Sequence, residues 1–423
     1  MTLALRTDRR LIRAGARSTR YLLATVFAPT APPSAERRPV NVALVLDRSG
    51  SMDGDRKFGL AREAVEQALR LLRPEDRFTL VVYDTEVDVL APAVAASPEA
   101  KRMALSRLLD VGPRGGTDLH GGWTTAAAQI GAQLRDDAIT RALLLTDGLA
   151  NHGVTEHRVL VDKAAELRRF GVATSTFGVG ADFDERLLRD IAHEGGGNFY
   201  FIETPAQIAD LLTSELGEAL EVVAREAVLH LTLPDGAEAE PLGRLRSTGG
   251  HAAEPLRVIL GDLSSAQELP VVVKIRFPEA PLDSVTAVTA RLSDRDSALD
   301  SSTVICEWRY ADHRANDVQP RHVIVDREVA AHYAARARAE ATEANRRGDL
   351  DRARRVLERT AERIRAYANG DAAIEAIRRS LLQDVDHYGL EVMSAMQLKV
   401  SFAVAESYGK GRAPDGRARR YRT

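Results

Sequence analysis

Five consecutive apolar residues, Val42 to Leu46, run without an alternating polar side chain, which suits a strand buried on both faces of a parallel sheet. Further strands are expected at 77–83, 141–146, 172–178 and 198–202. Amphipathic stretches at 56–72, 98–109, 119–134, 156–170, 184–194 and 204–218 stand among them and predict helices. In the first helix Leu60, Ala64, Ala68 and Leu71 recur at three and four, an apolar face to lay on a sheet. This alternation predicts an α/β domain over 39–218, with a doubly wound, mostly parallel sheet.

Beyond Leu220 the period changes from helical to alternating, in Val228 to Leu233, Leu269 to Phe277 and Ser284 to Leu292. Such runs, separated by Pro, Gly and Asp, predict an antiparallel β-sandwich over 219–325. Two stretches before the parallel sheet, Thr2 to Arg6 and Arg20 to Ala28, need a partner and are expected to join that sandwich, so that residues 1–38 supply its N-terminal strands and a linker. The four prolines of Pro29 to Pro39 mark the linker, and a sandwich built from strands on either side of the α/β domain would make that domain an insertion.

From Asp326 the pattern turns helical again, with Ala330, Ala334, Ala337, Ala341 and Ala344 on one face and Leu350, Ala353, Leu357, Ala361 and Ile364 on the next helix. Gly348-Asp349 separates the two, and Asn369-Gly370 stops the second so that Asp371 can cap a third. The hairpin is similar to a tetratricopeptide unit, but a single one establishes no repeat. A helical module is expected over 326–408, and a basic, disordered tail over 409–423.

Composition changes this picture little. The 423 residues are 28% charged and 44% apolar with net charge −3, values of an ordinary soluble protein that select no acidic or basic partner. Apolar runs fall far short of the roughly 20 residues needed to span a bilayer, and the first 15 residues lack a signal-peptide core. Cys306 stands alone, so no intramolecular disulfide forms, which fits a reducing, cytoplasmic setting. It is expected to pack as a small apolar residue in the strand Thr303 to Trp308.

The candidate chemistry begins where the first buried strand ends. Asp47, Ser49 and Ser51 follow at spacing two around Gly50, so a tight turn can aim a carboxylate and two hydroxyls at one point. Thr117 follows the glycine-rich loop Gly112-Pro-Arg-Gly-Gly, and Asp147 ends the strand Arg141 to Thr146. All should gather at one sheet edge, outside the carboxyl ends of the strands. Hard oxygens suit Mg²⁺, Mn²⁺ or Ca²⁺ rather than zinc. A purely structural alternative has Asp47 cap the next helix while the serines satisfy turn amides. Arg48 is expected to be a solvated loop residue, and each of the ten histidines, His152, His157 and His193 among them, a surface or loop residue. Asp53 and Asp118 lie close in sequence without matching the pattern. No Gly-x-Ser-x-Gly elbow, phosphate loop or GxGxxG fingerprint occurs.

The order DxSxS, then Thr, then Asp resembles the metal-ion-dependent adhesion site of the von Willebrand factor A family. Matched residue by residue, the ligands that this resemblance implies are Asp47, Ser49, Ser51, Thr117 and Asp147. It implies hydroxyls that bind the ion directly, aspartates that act largely through water, and an open place that takes an Asp or Glu of a protein partner. An inserted domain within a sandwich also resembles bacterial proteins of this family related to the inter-alpha-trypsin inhibitor heavy chains. The expectation is a non-enzymatic, metal-dependent scaffold or adaptor, without membrane or nucleic-acid contacts. The alternative is a non-catalytic subunit working with an AAA+ ATPase, and a metal-dependent hydrolase would lack a base.

Overall fold

The structure, a computed structural model, describes residues 2–31 and 37–421. The middle of the proline-rich stretch read as a linker lies outside the described residues. Two compact units emerge, Pro32–Val222 and the pair of segments Met1–Ala31 with Val223–Thr423. The chain opens with β1 (Leu3–Thr7), β2 (Leu11–Arg13) and β3 (Ser18–Phe27). The following unit runs β4 (Val40–Asp47), α1 (Lys57–Leu71), β5 (Arg77–Tyr83), β6 (Val87–Ala95), α2 (Pro98–Leu109), α3 (Leu119–Gly131), β7 (Ile139–Thr146), α4 (His157–Arg169), β8 (Ala173–Val179), α5 (Glu185–Glu194), β9 (Gly196–Ile202) and α6 (Ile208–Leu220).

Its sheet has the order β6-β5-β4-β7-β8-β9. Strands β5, β4, β7, β8 and β9 are parallel, and β6 alone runs antiparallel, on the edge beside β5. Every residue of β4 and β7 is buried, as expected for strands covered by helices on both faces. Helix α1 turns its apolar stripe slightly from the expected one. Phe58, Ala61, Ala64, Val65, Ala68 and Leu69 face the core, whereas Leu71 stands half-exposed at the helix end. Helix α3 lies close on the sheet because Gly122 leaves room for the Tyr83 ring, where a Cβ would come within 2.4 Å of Cγ. Trp123 is fully buried beside it and donates from Nε1 to Thr174 Oγ1 at 3.2 Å. Glu215 of α6, also buried, accepts from Arg141, Ser175, Asn198 and Tyr200, so a charge deep in the unit is paired and hydrogen-bonded.

The other unit continues with β10 (Val222–Thr232), β11 (Glu238–Pro241), β12 (Arg246–Thr248), β13 (Leu256–Ser264), β14 (Glu268–Phe277), β15 (Val285–Ser293) and β16 (Val304–Ala311). The helices α7 (His313–Val318), α8 (Val323–Arg346), α9 (Leu350–Arg365), α10 (Ala372–Gly389) and α11 (Ala395–Gly409) follow. A four-stranded sheet, β1-β3-β14-β11, shares one apolar core with a six-stranded sheet, β12-β13-β10-β15-β16-β2. Val26 of β3, Val273 of β14, Leu231 of β10 and Trp308 of β16 all belong to that core, the arrangement of a β-sandwich. Strand β3 pairs with β14 along its whole length, Phe27 opposite Glu268 through Ser18 opposite Phe277. Of the two N-terminal stretches, β3 therefore finds its partner among strands after residue 220, while β1 pairs with β3 at the edge of the same sheet. Cys306, in β16, is buried, and burial pushes its thiol up to about 11.

Two expectations about this unit are corrected. The helices do not form a separate body, because Val325 and Val329 of α8 pack with Leu23 and Val272 on the outer face of the four-stranded sheet. The tail from Lys410 to Tyr421 is not disordered. The Glu268 N–H donates to Arg419 O at 2.8 Å, Tyr421 Oη donates to Ala28 O at 2.7 Å, and the Tyr421 ring meets Phe27 edge-on at 5.5 Å. Arg419 pairs with Glu328 of α8 at 2.9 Å. Alternation of basic residues with Gly, Ala and one aromatic reads as solvated in sequence, but here it lies along the end of β14. Among the described residues no helix is long and apolar enough to cross a membrane.

Candidate metal centre

Register brings the two carboxylates together. Strand β4 pairs in parallel with β7, Leu46 opposite Leu145, so the residues that follow, Asp47 and Thr146, emerge side by side at the carboxyl edge. Thr146 Oγ1 donates to Asp47 Oδ2 at 2.5 Å, and the Ser49 N–H donates to Asp47 Oδ1 at 2.7 Å, closing the turn after β4. That turn places Ser49 Oγ and Ser51 Oγ 3.1 Å apart, and Ser51 Oγ donates to Asp147 Oδ1 at 2.6 Å. Ser51 is exposed, whereas Asp47, Ser49, Thr117 and Asp147 are buried.

The threonine loop is tied to this turn through its backbone. Gly115, at φ +65°, turns its carbonyl to accept from the Gly50 N–H at 3.2 Å, and the Arg114 N–H donates to Arg48 O at 2.7 Å. Asn151 Oδ1 accepts from the Thr117 N–H at 2.8 Å, while the Asn151 N–H donates back to Thr117 O at 3.1 Å. The space in which a Cβ on Gly148 would lie is 3.5 Å from Ser51 Oγ and 3.6 Å from Thr117 Oγ1, so both hydroxyls border the same backbone. All five sequence-identified residues are thus gathered at one rim. Neither structural alternative is used: helix α1 has no side-chain cap, and the Ser49 hydroxyl caps no amide of the short turn that follows it.

Burial pushes the Asp47 carboxyl up to about 6, with the hydrogen bonds from Thr146 and Ser49 pulling against it and the nearby Asp147 charge adding to it. A positive charge answers Asp147. Lys57 Nζ, at the start of α1, lies 2.6 Å from Asp147 Oδ2. Arg48 departs from expectation, for it is buried and points away from the hydroxyls, 3.0 Å from Asp84 and 2.6 Å from Asp88. Arg114 meets the same Asp84 at 2.7 Å and Glu86 at 2.7 Å. Burial alone would raise Asp84, but the Glu86 amide, Arg114 and Arg48 hold its carboxyl below the usual range. One buried carboxylate therefore clamps the loop bearing Ser49 to the loop bearing Thr117. Asp118 caps α3 through the Gly121 N–H at 2.9 Å, and Asp53 is exposed on the turn before α1.

The donor set fits a hard divalent cation. It offers three hydroxyls and two carboxylates, and the 3.1 Å between the serine oxygens matches the roughly 3.0 Å separating adjacent ligands of an octahedral ion with bonds of about 2.1 Å. Among the described residues no group of three or more His, Cys, Asp and Glu side chains is placed to hold a metal, so a zinc-type cluster is not what this rim presents. Sequence reasoning missed Lys57, Thr146, Asp84 and Asn151. Thr146 was readable as the last residue of a buried strand, whereas Lys57 carries no signal, since an irregular turn separates it from Ser51.

A parallel sheet with one antiparallel edge strand, helices on both faces and this rim define a von Willebrand factor type A domain, and residues 41–214 match that domain. The chain carries a von Willebrand factor type A domain over residues 41–214, with additional β-sheets and C-terminal helices outside it. It is 30% identical to the Escherichia coli protein YfbK over 46% of its own length and 33% of that protein's. Against human inter-alpha-trypsin inhibitor heavy chain H4 it is 31% identical over 40% of this chain and 18% of the heavy chain. The matches thus span a third or less of those relatives. The likeness to a solved von Willebrand factor type A structure from Catenulispora acidiphila extends beyond the domain, with a TM-score of 0.68, 19% identity, and coverage of 95% of this chain and 89% of the other. The structure of VWA2, an ArnB paralogue from Sulfolobus acidocaldarius, covers 92% of this chain at a TM-score of 0.54 and 17% identity. Domains of this type generally serve protein interaction and are typically non-catalytic.

Proposed function

We propose that the domain holds one divalent cation, Mg²⁺ by preference with Mn²⁺ or Ca²⁺ as substitutes, on Asp47, Ser49, Ser51, Thr117 and Asp147, and that the protein binds an acidic side chain of a partner protein through it. The carrying observation is the pair of serine hydroxyls 3.1 Å apart, Ser49 buried and Ser51 exposed, backed by two buried carboxylates. The ion would supply a positive charge for a carboxylate to meet. The chain's own residues do the rest. The serines and threonine bring neutral oxygens, so the ion keeps most of its charge, and Asp84 with Arg48 and Arg114 keeps the two loops in register. The hydroxyl-to-carboxylate contact from Ser51 to Asp147 joins two of the proposed ion ligands, which supports binding rather than catalysis. Ser49→Ala combined with Ser51→Ala should abolish Mg²⁺-dependent capture of a partner by the full chain while leaving the fold intact, because both residues sit on a loop. Capture by the wild type should fail in chelator. Full capture by the double variant in both buffers would overturn the reading.

A further inference from the structure

The side chain that meets Asp147 in this structure is a lysine. Lys57 Nζ sits 2.6 Å from Asp147 Oδ2 and 3.4 Å from Ser51 O, and only 14% of its side chain is exposed. Asp147 is itself fully buried, so its carboxylate is divided between a hydroxyl hydrogen on Oδ1 and an ammonium on Oδ2. A buried carboxylate needs a counter-charge, and Lys57 supplies one from within the chain.

The backbone that delivers Lys57 is strained. Between the serine turn and α1, Asp55 (φ 53°) and Arg56 (φ 57°) adopt left-handed conformations in succession, and neither is a glycine. Such conformations persist where surrounding contacts hold them in place. The contact at the end of this segment is the Lys57 ion pair.

We propose that Lys57 is a built-in competitor for the divalent cation, an internal positive charge that neutralises Asp147 in the metal-free protein and leaves when the ion binds. The inference rests on the divalent-cation reading above. A divalent ion and an ammonium on the same carboxylate repel one another in a site shielded from water, so both cannot be held tightly. Lys57 therefore weakens ion binding and, when no ion is bound, offsets the repulsion between the Asp147 and Asp47 carboxylates. Ion entry releases Lys57 together with the turn 54–56. The affinity for the cation is thus set partly by a residue that never touches it.

Calorimetric titration of Mg²⁺ into the full chain tests this with the wild type and Lys57→Met. The variant should bind at least about tenfold more tightly, and should melt earlier than the wild type in chelator, having lost the internal counter-charge. Equal or weaker binding by a Lys57→Met chain whose circular dichroism is native would overturn the proposal, because a lysine that merely orients Asp147 would weaken binding when removed. Binding by neither protein would overturn this inference and the cation reading together, whereas wild-type binding without a gain in the variant would leave the cation reading standing. Should the variant not fold, amine acetylation of the wild type, read at Lys57 by mass spectrometry against Lys274, decides. Faster acetylation of Lys57 in saturating Mg²⁺ than in chelator supports release, and unchanged or slower acetylation overturns it.

Discussion

Asp47 and Asp147 are fully buried a few ångströms from a solvent-exposed serine, and the site depends on that contrast. Their charges are satisfied from inside the chain, by Thr146 and the Ser49 amide for one and by Ser51 and Lys57 for the other. His332 poses a similar problem without a counter-charge. It lies buried on α8, where burial first, and then Arg419 and Arg336, bring its imidazole down to about 4. The folded-state value is below the ordinary 6.5, so the unfolded chain binds the proton more readily. Stability is then complete above pH 6.5 and is lost as pH falls towards 4. The His332 contribution should fall by about 2 kcal/mol between pH 7 and pH 5, and His332→Leu should be less acid-sensitive than the wild type by about that much in urea melts of the full chain. An identical pH slope in the variant would contradict the assignment. The five oxygen-bearing residues were legible because fixed spacing and strand ends suffice to place them. His332 and Arg48 were not, because burial of a polar side chain is decided by what packs over it: the turn at Gly243 and the tail for His332, Asp84 and Asp88 for Arg48.

Among elements, the long buried strands and their helices were readable because both periods are strong and flanked by turn residues. The edge strand β6 was not, since Val87–Ala95 carries Asp88 and Pro92 and is only partly buried. Short strands such as β2 and β12, three residues each, have no period to read. Strand β3 is central to the four-stranded sheet, between β1 and β14, and its removal would strip β14 of a partner along ten residues. A chain lacking residues 1–30 should therefore expose the apolar faces of both sheets and lose the unfolding transition of that unit, while residues 39–218 should fold alone. A melt indistinguishable from that of the full chain would contradict the role given to these strands.

In the whole molecule, the unit made from both ends of the sequence is interrupted by the von Willebrand A domain between β3 and β10. The change of period near residue 220 disclosed that interruption. The docking of α8 and of the tail on the sandwich was hidden, because helix-to-sheet packing between distant segments leaves no local pattern, and the alanine stripe of α8 describes only its contacts with other helices. The proposal that five oxygens at the carboxyl edge of the parallel sheet hold one divalent cation, with a place open to a carboxylate, can be settled by a crystal structure of the full chain grown with Mn²⁺. A single anomalous peak is expected about 2.2 Å from both Ser49 Oγ and Ser51 Oγ, with Lys57 withdrawn from Asp147. A peak elsewhere, or none at millimolar Mn²⁺ with the Lys57 to Asp147 contact intact, would contradict it.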